Sequence, residues 1–149
     1  MEKKIIKRVP DCRSETLMGI VADVESYGEF VPLCKEVKIV EHLEEESQKK
    51  KFKANVLIEY KFFKEAFIAV VSVNNKDYKI IIESNTSPFN KLYSEWCFEQ
   101  LEKDCLVTFR MNASFNSFLI EKIISLSFDR IAKKVISAFE GRAISGRFI

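Results

Sequence analysis

Acid–base catalysis needs titratable side chains gathered in an enclosed space, and this sequence offers few of them. The single histidine, His42, follows a strand-like run and precedes Glu44-Glu45-Glu46, which is the setting of a solvated turn. Glu59, Glu83, Glu95 and Glu99 fall on the polar phase of alternating segments and are expected to face water. There is no glycine-rich phosphate loop and no nucleophile elbow. The four cysteines, Cys12, Cys34, Cys97 and Cys105, contain no CxxC and no ligand-like spacing with His42, so no metal site is expected. They read as free thiols acting as small buried hydrophobes in a reducing compartment. What remains is binding chemistry. The apolar phase of the same segments is Phe, Ile, Val, Ala, Met, Tyr and Trp, a wall with little on it to move a proton, and no catalytic residue is assigned. Tyr60 and Trp96 are the polar handles on that wall, each able to give one hydrogen bond to a ligand or, as a core aromatic, to the protein itself.

The segments that must position this wall alternate with a period of two. Phe52, Ala54, Val56, Ile58 and Tyr60 share one face, against Lys51, Lys53, Asn55 and Glu59. Leu92, Ser94, Trp96 and Phe98 oppose Tyr93, Glu95 and Glu99; Val107, Phe109, Met111, Ala113 and Phe115 oppose Thr108, Arg110, Asn112 and Ser114; Ile80 and Ile82 oppose Lys79 and Glu83. A first strand is expected over Lys4 to Val9, ended by Pro10 and Asp11. Consecutive alternating strands joined by turns such as Asn74-Asn75-Lys76-Asp77 predict an antiparallel meander with one wet face. Asp11 or Ser14 is placed to cap a short helix whose apolar face is Leu17, Ile20, Val21 and Val24.

A sheet with one oily face needs a cover. The segment from Ser117 to about Glu140 supplies it as one long helix. Ile120, Ile124, Phe128, Ile131, Ala132, Val135, Ala138 and Phe139 form a single arc, with Lys122, Asp129, Arg130, Lys133, Lys134 and Glu140 on the other. The predicted class is therefore α+β. Phe118, Leu119, Ile123 and Leu126 make the start of this helix apolar on nearly every side, so a loop covers them or they stand exposed to a membrane or a protein. The covering candidate is the aromatic turn with Tyr27, Gly28, Phe30 and Pro32, between the first helix and the alternation that begins at Val37. Tyr27 and Phe30 there serve either as the lid of an apolar cavity or as a plug at the end of a core.

With 149 residues, one domain over 1–149 is expected, with enough chain for a real core. Hydrophobic residues make up 47% and charged residues 31%, an ordinary globular balance, and the net charge of +2 gives no bulk attraction to nucleic acid. Basic residues cluster at Lys3, Lys4, Lys7 and Arg8 and again at Lys49, Lys50, Lys51 and Lys53, as solvated tips or as contacts to an anionic partner. No run reaches transmembrane length and the start of the chain does not read as a signal peptide, so a cytoplasmic location is expected, with membrane contact at most peripheral.

Val21-Ala22-Asp23-Val24, Tyr27, Glu29-Phe30-Val31-Pro32 and Cys34-Lys35 resemble the helix-turn-strand opening of the START-like, polyketide cyclase/dehydrase superfamily. Pro88-Phe89, Trp96 with Phe98, Ser114-Phe115 with Ser117 and Leu119, and Ala138-Phe139-Glu140 with Arg142-Ala143 continue the likeness in order along nearly the whole chain. The branch it resembles contains coenzyme Q-binding proteins and bacterial ribosome-association toxins. The chain departs from the pattern at Gly28, Leu33, Asn116 and Gly141. The resemblance implies a helix-grip fold, a curved antiparallel sheet wrapped around a long C-terminal helix with a cavity between them. It also implies a non-catalytic function, the binding of a polyprenyl quinone such as coenzyme Q as ligand, with no cofactor required, in support of respiratory electron transport or quinone delivery. The residues expected to line that site are Phe30, Val31, Leu33, Val56, Ile58, Tyr60, Trp96, Phe98, Phe109, Met111, Phe128, Ile131 and Val135. Tyr27, Phe30, Phe118 and Leu119 are the expected peripheral contacts to the inner membrane. The alternative is association with the large ribosomal subunit through the basic clusters. A cyclase or dehydratase acting on polyketide-like rings is disfavoured by the apolar interior.

Overall fold

A computed structural model describes residues 1–145. Seven strands form one antiparallel sheet: β1 (Glu2–Val9), β2 (Cys34–Glu45), β3 (Lys49–Tyr60), β4 (Phe63–Asn74), β5 (Lys79–Ser84), β6 (Phe89–Leu101) and β7 (Asp104–Phe115). Their order is β1-β7-β6-β5-β4-β3-β2, so every neighbour is a hairpin partner except β1, which pairs with β7. The helices are α1 (Ser14–Ala22), α2 (Phe118–Ser125) and α3 (Phe128–Ser145), with a 3-10 turn over Val24–Glu29. The fold is α+β, a curved sheet gripping C-terminal helices. Register shifts along β2 and at Phe89/Lys91 of β6 add the local bends that such curvature needs.

The alternation sets the sheet's phase as expected. Trp96 pairs with Phe109, and Glu95 with Arg110. Trp96 is 3% exposed while Arg110 faces solvent. A slip of one residue would invert both, so the buried face fixes the register. That face carries two apolar clusters. One joins Leu17, Met18 and Val21 of α1 to Trp96, Phe98, Phe109 and, on α3, Ile136, Phe139 and Ala143. The other gathers Phe67, Phe89, Phe115, Ile124 and Phe128 at the opposite end.

Four local expectations are corrected. The C-terminal cover is two helices, broken at Leu126 and Ser127, where the Ser127 N–H bonds the Ile124 carbonyl at 2.9 Å. The break separates the face of α2, which buries only Ile124, from that of α3, which buries Phe128, Ala132, Ile136, Phe139 and Ala143. The N-cap of α1 is Arg13, with no side-chain cap bond. Ser14 lies inside the first turn, its N–H held by Gln100 at 2.8 Å, and the Asp11 N–H instead donates to the Asp104 carboxylate at 2.8 Å. Val24 leaves the helix for the 3-10 turn. His42 sits within β2, exposed, beside the Phe52 ring.

Candidate functional site

Between the sheet and α3 lies a cavity of about 220 Å³. Its wall is built by the apolar phase of the strands: Ala54, Val56, Ile58 and Tyr60 from β3, Phe67, Ala69 and Val71 from β4, Trp96 from β6, and Phe109, Met111, Ala113 and Phe115 from β7. Phe128, Ile131, Ala132, Val135 and Phe139 of α3 close it from above. Val31, Pro32, Leu33 and Cys34 form one lip. The deep lining residues Ala54, Ala69, Trp96 and Ala132 are buried, whereas Val31, Pro32, Leu33, Ile58, Tyr60, Phe63, Ile131 and Val135 are half-exposed. The mouth therefore lies between the 31–33 loop, the tip of the β3–β4 hairpin and the first turns of α3.

No charged side chain lines this space among the described residues. Its polar atoms are few and mostly engaged. Ser94 Oγ donates to the Ile82 carbonyl at 3.2 Å, and the Tyr27 hydroxyl donates to the Val21 carbonyl. Burial pushes the Tyr27 phenol well above its usual range and the Cys34 thiol up to about 11, so Cys34 stays a protonated, unreactive thiol at neutral pH. Only Tyr60, at the mouth, is turned the other way. A hydrogen bond with Ser127, then the charges of Lys61 and Arg130, hold its phenol below the usual value. Arg130 itself donates to Ser127 Oγ at 3.3 Å. The cavity thus has an apolar interior and a polar, cationic lip.

The structure brings together Val31, Leu33, Val56, Ile58, Tyr60, Trp96, Phe109, Met111, Phe128, Ile131 and Val135 around this space. Phe30 and Phe98 lie outside it. Phe98 has the right phase but sits beyond the cavity's end, 5% exposed and stacked against Trp96 at 6.3 Å. Phe30 turns onto Phe139, ring centroids 5.1 Å apart, under the Arg142 guanidinium at 4.8 Å, while Arg142 Nη2 bonds the Glu29 carboxylate at 2.9 Å. Tyr27 packs on the same Phe139 ring at 5.2 Å. The aromatic turn is thus pinned to the C-terminal half of α3 and does not cover the start of α2, so Tyr27 and Phe30 form no common rim with Phe118 and Leu119. Gly28 is required by close approach: a Cβ there would lie 2.6 Å from the Lys35 carbonyl oxygen. Leu33 takes a left-handed backbone, φ 71°, that a branched side chain rarely adopts, and its carbonyl accepts the Glu59 N–H at 2.8 Å.

Phe67, Ala69 and Val71 of β4 line the cavity without having been singled out in the sequence, and Phe89, Ala132 and Phe139 line it although only their elements, not the site, were expected to hold them. The alternation Phe67, Ala69, Val71, Val73 carried the signal for β4.

A family described as polyketide cyclase / dehydrase and lipid transport matches residues 12–140. The chain belongs to this family. A ribosome association toxin of Rickettsia prowazekii is 27% identical over 134 residues, covering 88% of each chain. A mitochondrial coenzyme Q-binding protein of Xenopus laevis is 26% identical over 133 residues, 87% of this chain and 52% of its own length, so the match spans about half of that relative. The solution structure of an 18 kDa protein from Caulobacter crescentus superposes with a TM-score of 0.81 at 23% identity, covering 100% of this chain and 99% of that one, a likeness of fold. The chain is thus similar both to a protein named for coenzyme Q binding and to one named for ribosome association.

The basic clusters bear on the second of these. The register sets Glu41 opposite Lys53, Glu44 opposite Lys51 and Glu45 opposite Lys50. At the start of the chain Lys3 pairs with Asp129, Lys7 with Glu140 at 3.5 Å, and Arg8 with Asp104 at 2.7 Å. Three of the four basic residues of the first cluster are thus ion-paired, and three of the four lysines of the second stand opposite a carboxylate across the hairpin. No group of side chains suited to a metal ion occurs among the described residues, and no described helix is long and apolar enough to cross a membrane.

Proposed function

We propose that this chain, acting as a single START-like lipid-binding domain, binds a hydrophobic molecule of the polyprenyl quinone class in the cavity between sheet and α3, without catalysis. The observation that carries the reading is the wall itself, apolar and free of charged side chains among the described residues, with polar groups at its mouth from Tyr60, Ser127 and Arg130. An apolar ligand gains by leaving water, and burial of its surface needs no covalent step. At about 220 Å³ the space is smaller than the roughly 300–1,000 Å³ that engulf drug-sized ligands. It suits a ring and the first part of a chain, with a longer tail leaving through the mouth. The name of the mitochondrial coenzyme Q-binding relative supports a quinone, and the protein would then serve quinone delivery from the cytoplasmic side of a membrane. Native mass spectrometry with lipid extraction of protein purified from its own cell tests this. A co-purifying quinone or isoprenoid lipid is expected. An empty protein that also fails to take up quinone saturably in solution would refute the reading.

Ribosome association is the second reading, favoured by the name of the bacterial relative. Carboxylates paired with or facing most of these basic residues argue against phosphate contacts as its basis, because such binding scales with the cations left free to displace counterions. Reversing Lys49, Lys50 and Lys51 to Glu is therefore expected to leave co-sedimentation with ribosomes unchanged at low salt. A stoichiometric complex of the unmodified protein with the large subunit, weakening steeply with salt and lost in this variant, would invert the ranking.

A further inference from the structure

The most exposed large apolar side chains among the described residues lie on the β3–β4 hairpin tip and on α2 with its C-terminal break. Phe62, at the tip of the β3–β4 hairpin, is 81% exposed; Phe118 and Leu119 of α2 are 83% and 64% exposed, and Leu126 at the α2–α3 break is 85% exposed. Tyr60 pairs with Phe63, so Lys61 and Phe62 are the two-residue turn of that hairpin, and packing against the sheet does not hold Phe62. A groove runs between the hairpin tip and α2, floored by Phe63, Ile120, Ile123 and Ile124. Tyr60, Phe63 and Ile124 line both this groove and the ligand cavity. The floor of the groove is therefore continuous with the wall of the cavity, while Lys61, Lys64 and Glu65 line the groove's hairpin side.

We propose that the face made by the β3–β4 hairpin tip and α2 is the surface by which the protein docks on an anionic lipid bilayer. The reading rests on the cavity taking a lipid-like ligand, since the continuity of the two spaces is what selects a bilayer as the occupant. Charge complementarity supports it. Lys61, Lys122 and Arg130 are exposed around the patch, and Lys64, also exposed, stands opposite Glu59 across the hairpin. Of the carboxylates nearby, Glu59 and Glu65 are exposed, and Glu121 is turned back to accept the Phe115 N–H at 3.4 Å. Phe and Leu side chains enter the interfacial layer while lysine stems lie along it and keep their ammonium groups at the lipid phosphates. Docked this way, the mouth opens onto the acyl region, and a ligand moves between bilayer and cavity without crossing water.

Vesicle flotation tests the proposal, with phosphatidylcholine alone and with phosphatidylcholine containing phosphatidylglycerol. The unmodified protein is expected to float with the anionic vesicles and more weakly with the neutral ones. A Phe62→Ser/Phe118→Ser variant should lose at least tenfold in bound fraction, with unchanged thermal unfolding because both side chains already face water. Lys61→Glu/Lys122→Glu should abolish the preference for phosphatidylglycerol. A quinone titration in vesicle-free solution keeps the two readings apart. Saturable quinone uptake with no flotation, or flotation indifferent to the Phe62/Phe118 change, overturns the docking surface and leaves the cavity reading standing. Flotation intact with no quinone uptake sinks the cavity reading instead. A dimer in sedimentation velocity that the Phe62/Phe118 variant dissolves would show that a second copy covers the patch, and would also overturn the proposal.

Discussion

Replacing Trp96 with Ala is expected to lower the unfolding free energy by about 3–5 kcal/mol, the range for truncating a large buried aromatic. Trp96 is 3% exposed and joins the two layers: its ring lies 4.6 Å from Phe109 beside it on the sheet and 4.9 Å, edge-on, from Phe139 of α3. One side of the indole borders the cavity, so the cost comes from the packed sides against Phe98, Phe109 and Phe139. Urea unfolding followed by circular dichroism gives the number. A loss under about 1 kcal/mol, with quinone binding abolished, would make Trp96 a ligand contact and not part of the supporting wall.

The complementary expectation concerns Met111, which also lines the cavity but is only half-buried, opposite Ser94 on the neighbouring strand. Met111→Trp puts an indole into a space of about 220 Å³. Quinone affinity is expected to fall by tenfold or more, equivalent to about 1.4 kcal/mol or greater. Stability should change by no more than about 1–3 kcal/mol, since the new side chain enters existing space and adds apolar burial against whatever strain it brings. Fluorescence titration with a short-chain quinone reads the affinity, and the same urea curve reads the fold. Full affinity in a properly folded Met111→Trp protein would mean that the ligand does not sit between the sheet and α3. Together the two substitutions separate the wall from the contents: one costs mainly stability, the other mainly binding.

The phase of the alternation told which face each strand residue takes, and β3, β6 and β7 follow it. Phase says nothing about depth along the strand. Phe98 shares its face with Trp96, but depth is set by pairing with distant strands, and its N–H bonds the Tyr78 carbonyl at 3.0 Å, toward the α1 end. Phe30 was misplaced for a similar reason. What draws it from the cavity is Arg142, more than a hundred positions away in sequence, an attraction that no local pattern carries. β4 stayed in the background because Ile68 and Val70 blur the contrast between its faces. The break between α2 and α3 has no Gly or Pro to announce it. One apolar arc drawn through both helices looked continuous, although α2 serves the far cluster around Phe67 and Phe89 and α3 serves both.

That break also divides the protein into parts of unequal permanence. α2 is 8 residues long with one buried side chain, Ile124, whereas α3 is 18 residues long and buries five. A segment anchored so lightly opens by itself far more often than the whole molecule unfolds. Backbone amides of residues 120–125 should therefore trade their protons for deuterons well before those of 132–143, at rates insensitive to low urea. If the two stretches exchange together, the helices melt as one. If α2 leads, a ligand can come and go on the timescale of a single loosening turn while the sheet never notices.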